Sequence, residues 1–188
     1  TFTCYSGHYY ARNQFMACMC RPGTKNNLNR GIYKSCNTYF SNVYRRIIDK
    51  DNKVEENINN WHKHLNSFGL GNYLGYDHPV GQPGYVPNAN FYNLWYPNQR
   101  WRGSTIVSNA IGQGEILMTP IQLANVAATI ANRGFFYTPH FVKDIQGDFI
   151  DPKYKTKRAT SISKEHFTNV IEGMADVVSK GTARVAAI

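Results

Sequence analysis

The sequence predicts a helix-dominated α+β fold. Three observations carry this: two consecutive stripes of helical period over residues 36–65, a capped helix beginning at Thr119, and only short β-type runs after it. The first stripe is Cys36, Phe40, Val43, Tyr44, Ile47 and Ile48, with Asn42, Arg45, Arg46 and Asp49 opposite. The second is Val54, Ile58, Trp61, His62 and Leu65, closing at Phe68-Gly69, where glycine accepts a left-handed C-terminal conformation. His62, at the edge of that stripe, reads as a packed boundary histidine, because nothing pairs with it at metal-ligand spacing.

Residues 69–103 are rich in Gly, Pro, Asn and aromatics and read as a long ordered loop with few regular elements, anchored by side chains such as Trp95 and Trp101. Thr119-Pro120-Ile121-Gln122 is the clearest helix start. Thr119 can cap the amide of Gln122, Pro120 needs no amide hydrogen, and Gln122 can reach back to the cap amide. The helix is expected to bury Leu123, Val126, Ala127 and Ile130 and to stop at Asn132-Arg133-Gly134. Phe135–Tyr137 and 141–145 read as strands, with Gln146-Gly147-Asp148 as a turn to another, and a last helix runs from Ser163 to before Gly181. The expected segments are a cysteine-containing loop or hairpin at 1–27, a helical part at 28–134 enclosing the 69–103 loop, short strands at 135–160, and a closing helix at 161–188.

At 188 residues, 42% hydrophobic and 14% aromatic, the chain can bury a core and is not disordered. No apolar run is long enough to span a bilayer, and the start shows no signal peptide; Thr1 in place of Met implies a preceding segment. The net charge of +9 favours anionic partners, but no zinc-finger, RNA-recognition or basic-zipper signature accompanies it, so nucleic acid is not expected. Cys4, Cys18 and Cys20 lie near His8. The one-residue gap in Cys18-Met19-Cys20 fits a structural zinc knuckle poorly, so no metal and no cofactor is expected; a disulfide from Cys4 to Cys18 or Cys20 ranks first, with free thiols open.

Three short patterns could carry chemistry. In Ser35-Cys36-Asn37, residues i and i+2 can face one cleft while Cys36 faces the core; the hydroxyl could relay a proton and the amide could hold a substrate carbonyl. Plain helix capping is the competing account. Ser161-Ile162-Ser163-Lys164 is formally a Ser-X-X-Lys tetrad, yet it straddles a helix start, so the two ends would not share a face. Ser179-Lys180-Gly181-Thr182 has the Lys-Thr-Gly residues in the wrong order and reads as a helix end.

Longer wording decides between these. Ser35–Phe40, Phe68-Gly69-Leu70-Gly71, Ile111-Gly112-Gln113-Gly114-Glu115, Met118–Ala124, Ala131-Asn132-Arg133-Gly134 and Thr138-Pro139-His140 occur in this order. From about Cys18 onward, the chain resembles the transpeptidase domain of class B penicillin-binding proteins of the elongation type. That resemblance implies the helical subdomain of the serine β-lactamase/D,D-transpeptidase fold, with most of the central sheet missing. It also implies a three-motif site in which Ser35 relays protons and Asn37 positions the acyl group and a lysine.

The nucleophile's Ser-X-X-Lys is then expected before Thr1 and the Lys-Thr-Gly strand after Ile188, so the chain alone should be inert and form no penicillin adduct. Implied partners of the parent protein are peptidoglycan stem peptides, β-lactams and membrane proteins of the elongation machinery. The implied place is the periplasmic face of the inner membrane, held by an N-terminal anchor. A homodimer through an uncovered sheet-facing surface is a further expectation. The alternative reading is a noncatalytic cationic module for anionic polymers.

Overall fold

The computed structural model describes residues 1–188 apart from Pro79, Gln99, Ile145, Gly147, Asp148, Phe149, Ala187 and Ile188. It is helix-rich, as the periodicity requires, and the described residues form three small two-stranded antiparallel sheets. The chain divides into two compact units, neither continuous in sequence: residues 1–59, 88–114 and 168–188 form one, and 60–87 with 115–167 the other.

The first unit opens with β1 (Phe2–Cys4), β2 (Gly7–Ala11), β3 (Gln14–Ala17) and β4 (Thr24–Asn26). β1 pairs with β4, and β2 with β3. Then come α1 (Leu28–Tyr33) and α2 (Asn37–Ile48), whose buried residues are Thr38, Ser41, Tyr44 and Ile48. The expected stripe is rotated: Ile47 is exposed, while Ser41 faces inward and donates to Met16 Sδ at 2.9 Å. Asn109 sits in the same core, donating to the Tyr92 hydroxyl at 2.6 Å and the Tyr44 hydroxyl at 3.3 Å.

α3 (Val54–Ser67) follows. The 69–103 segment is less irregular than its composition suggested, because it contains α4 (Ala89–Trp95), capped by Asn88, whose side chain accepts from Phe91 N.

In the second unit, His62 Nδ1 lies 3.0 Å from the Val86 carbonyl and Nε2 lies 2.7 Å from Asn66 Nδ2, so its ring is a structural bridge. α5 (Pro120–Ala131) starts at the Thr119 cap with both halves of the capping box formed. Its expected apolar interior is overturned: the buried residues are Gln122, Asn125 and Thr129, and Leu123 is 52% exposed. The reason is hydrogen bonding. Gln122 Nε2 lies within 3.2 Å of the Gly69, Asn72 and Pro83 carbonyls, and Asn125 Nδ2 donates to Phe68 O at 3.0 Å. Buried carbonyls of a looped chain need donors, and these side chains supply them.

β5 (Phe135–Phe136) pairs with β6 (Arg158–Ala159). Phe141–Asp144 are not strand, and the other residues of the expected turn, apart from Gln146, lie outside those described. Instead, Asp77 gathers this segment, accepting from Phe141 N at 3.0 Å and Val142 N at 2.8 Å. The Val142 and Phe141 amides hold its carboxyl below the usual carboxylate range. A depressed folded pKa means that the stabilisation is present above the unfolded pKa and lost as pH falls through the folded one. Protection of the Phe141 and Val142 amides against hydrogen exchange should therefore drop on acidification and in Asp77→Asn at neutral pH; unchanged protection in the variant would refute the clasp.

The last helix, α6 (Phe167–Ser179), is preceded by a 3-10 turn over Lys164–His166.

Candidate functional site

Ser35 sits in the turn between α1 and α2 with φ +50°, a left-handed conformation that few residues other than glycine adopt. The turn is tied down on both sides of it: Ser35 N donates to Ile32 O at 3.0 Å, and Cys36 N to Gly31 O at 2.9 Å. Gly31 is required there, since a side chain would meet the Tyr39 ring at 2.6 Å. Ser35 is exposed, Cys36 fully buried, and Asn37 half-buried at the first position of α2. The motif thus presents its two polar residues outward around an inward cysteine. Asn37 Nδ2 donates to the Ala17 carbonyl at 3.0 Å, which pins its amide to the end of β3.

Cys36, not a serine or asparagine, is the helix cap: its Sγ accepts from Tyr39 N at 3.4 Å. Around that sulfur the structure gathers something the sequence spacing did not suggest. Cys4, Cys18, Cys20 and Cys36 are all buried, and their Sγ atoms lie within 4.8 Å of one another. None forms a disulfide, so the expected Cys4 bridge is not made.

The four sulfurs also stand where a single ion could bind, although the Cys18-Met19-Cys20 spacing pointed to none. Four thiolates about one tetrahedral zinc, at about 2.3 Å each, stand about 3.8 Å apart; Cys18 Sγ and Cys36 Sγ are 3.7 Å apart. His8 is not part of this sulfur group; Cys36 is its fourth member. His8 instead lies near Arg45, its pKa lowered by burial and then by the Arg45 charge.

Electrostatics favour one negative sulfur here, that of Cys18. Burial raises the Cys18 thiol, but the Thr38 and Cys20 amides and the Cys4 and Cys20 thiols outweigh it and bring it to about 6. Burial pushes Cys20 up to about 11, and it raises Cys36 as well, with the adjoining sulfurs adding to the rise. Without metal the charge therefore collects on Cys18. A bound ion would deprotonate the others. The N-terminal amides of α2 point at the cluster and suit an anionic sulfur set, and the Cys4 thiol meets Thr38 Oγ1 at 3.3 Å. The signal in the sequence was the cysteine count: Cys36 is the one thiol outside the N-terminal group, and it lies inside the motif already singled out.

The other two patterns are structural. Ser161 Oγ is 2.6 Å from His64 Nδ1 and 2.9 Å from Ser67 Oγ, bracing α3 rather than facing Lys164. Lys180 pairs with Asp176 at 2.9 Å, and Thr182 N donates to Tyr33 O at 3.1 Å.

A family model for the penicillin-binding protein transpeptidase domain matches residues 1–188. The peptidoglycan D,D-transpeptidase MrdA of Acinetobacter baumannii is 30% identical over 165 residues, covering 84% of this chain and 22% of that protein. The chain thus spans about a fifth of that relative's length. The crystal structure of Pseudomonas aeruginosa PBP2 in complex with WCK 5153 aligns at a TM-score of 0.78 and 26% identity, over 100% of this chain and 41% of that one. PBP2 of Helicobacter pylori, solved in a complex with MreC, aligns at a TM-score of 0.71 and 27% identity, over 96% and 31%. With its Ser-Cys-Asn turn and its residues matched from end to end, this chain belongs to the penicillin-binding protein transpeptidase family.

Proposed function

We propose that the protein carrying this chain is a peptidoglycan D,D-transpeptidase of cell-wall elongation, and that Ser35 and Asn37 supply the middle motif of its active site. The observation that carries this reading is the turn itself: an exposed serine in a left-handed conformation, a buried cysteine, and an asparagine whose amide is fixed by the Ala17 carbonyl. In the reaction, a serine nucleophile outside this chain attacks the stem-peptide carbonyl and expels D-alanine. An amine of a neighbouring strand then takes the acyl group. The Ser35 hydroxyl accepts and returns a proton between lysine and amine, and Asn37 hydrogen-bonds the acyl amide. Such an enzyme works at the periplasmic face of the inner membrane, with membrane proteins of the elongation machinery as partners and β-lactams as inhibitors. This chain by itself, holding one motif, forms no penicillin adduct.

The test uses fluorescent penicillin on the full-length protein. Ser35→Ala and Asn37→Ala are expected to slow acylation by about 10²-fold or more, the usual range for proton-transfer groups, with melting temperature held. Wild-type rates in both variants, or label on Ser35 or Ser161, would overturn the assignment.

A second reading attaches to the sulfur cluster, because four buried sulfurs within 4.8 Å of one another are what a single thiophilic ion needs. We infer that Cys4, Cys18, Cys20 and Cys36 hold zinc as a structural centre. A closed all-thiolate set leaves no coordination position for substrate, so this metal would shape the Ser35 turn and take no part in acyl transfer.

A further inference from the structure

We propose that the four-cysteine centre is a thiol–disulfide switch on the Ser35-Cys36-Asn37 turn: a peroxide joins Cys18 to Cys36, which releases the bound ion and displaces Asn37. The release of an ion rests on the zinc reading above. The joining of the two cysteines does not.

Cys18 and Cys36 are in direct sulfur contact and both adjoin the residues that fix Asn37. Cys18 Sγ and Cys36 Sγ stand 3.7 Å apart, and a disulfide needs about 2.05 Å. Closing that gap moves backbone that the motif depends on. Cys18 follows Ala17, whose carbonyl accepts the Asn37 amide, and Cys36 precedes Asn37. The bond would thus form beside the contact that pins Asn37. Cys36 is also the α2 cap, and a disulfide sulfur is a poor acceptor for the Tyr39 amide. Ser35, at φ +50°, stays in its turn only while its surroundings hold it there. An oxidant reaches the centre from the Cys18–Cys20 side. Those two cysteines are each 7% exposed and flank Met19 at 96%, whereas Cys4 and Cys36 are fully buried.

The electrons balance as follows. The Cys18 thiolate sulfur attacks one peroxide oxygen and the O–O bond breaks, giving a sulfenic acid and hydroxide. The Cys36 sulfur, already a thiolate on an ion or else giving its proton to the leaving hydroxide, then attacks the Cys18 sulfur; the S–S bond forms, the S–O bond breaks, and a second hydroxide leaves. The two sulfurs together lose two electrons and one peroxide is reduced, its hydroxides leaving as water with protons from Cys36 or solvent. Two thiolates remain, too few to hold the ion.

The test uses full-length protein purified under reducing conditions. It is exposed to hydrogen peroxide and followed by three readouts: peptide mass spectrometry after thiol alkylation, metal released to a chromogenic chelator, and the fluorescent-penicillin acylation rate. The expected result is a Cys18–Cys36 linkage, release of metal with the same time course, and acylation slowed by about tenfold or more, since small misplacements of active-site groups cost that much. Dithiothreitol with added zinc should restore the rate. Oxidised Met16 or Met19 would not respond to it, which separates thiol from thioether damage. Cys18 and Cys36 left unjoined, or joined with acylation unchanged, overturns the switch. Metal absent from the reduced protein overturns the zinc reading alone, leaving the linkage and the acylation rate to decide the switch.

Discussion

Gln122→Leu should lower the melting temperature of this domain by about 6–12 °C, the shift expected from a loss of about 3 kcal/mol in a domain of this size. The side chain is 1% exposed and leucine, though branched one carbon earlier, has a similar volume, so the loss is chiefly one of polarity. Its Nε2 serves the Gly69, Asn72 and Pro83 carbonyls, and its Oε1 accepts from Thr119 N at 2.9 Å. Leucine would leave several buried groups without partners, each costing about 1–3 kcal/mol. Gln122→Glu sharpens the test. Its carboxylate would face three carbonyl oxygens, so its pKa must rise on folding, and the variant should lose stability as pH rises through that raised pKa. A Gln122→Leu protein that melts like wild type would show that the glutamine is not the hub of this loop.

Zinc is expected to stabilise the reduced, metal-stripped protein by about 4 kcal/mol when present at a thousandfold over its dissociation constant. Cys4→Ser should abolish that gain. Cys4 is the informative position, because it is fully buried in the cluster yet lies in β1, outside the Ser-Cys-Asn turn. Metal analysis and thermal melts with and without a chelator read the effect. Equal melting temperatures with and without chelator, in a protein that carries no metal, would remove the zinc centre. If metal is lost and penicillin acylation also slows, the turn is held from the sulfur side. The route is the Cys36 cap and the Asn37 contact with Ala17.

Long helices were legible in the sequence because an apolar period survives any detail of packing: α2, α3 and α5 lie where their stripes and caps put them. Which face each buries was not legible. Thr38, Ser41, Gln122 and Asn125 are interior because specific sulfurs and carbonyls lie opposite them, and those partners are set by tertiary structure. α4 hid among prolines and glycines, although Asn88 followed by Phe91, Tyr92 and Trp95 held both its cap and its period. At the site, the Ser35-Cys36-Asn37 wording was readable and its metal-binding potential was not. Bringing Cys4, Cys18 and Cys20 to Cys36 depends on the register of two short strand pairs, Cys4 opposite Thr24 and Gly7 opposite Ala17. Strands of three to five residues give no periodic signal strong enough to fix such a register.

The inverted interior of α5 also bears on how that helix finds its seat. An oily face can slide by a residue or roll by a fraction of a turn and still lose water, so grease alone specifies a seat loosely. Gln122, Asn125 and Thr129 behave like the cuts of a key. The two amides engage only when the Phe68, Gly69, Asn72 and Pro83 carbonyls stand at the matching height and angle, while buried Thr129 satisfies its hydroxyl on Asn125 O at 2.6 Å. The helix should therefore have one rotational setting and no near-degenerate alternatives, an uncommon degree of specification from so few side chains.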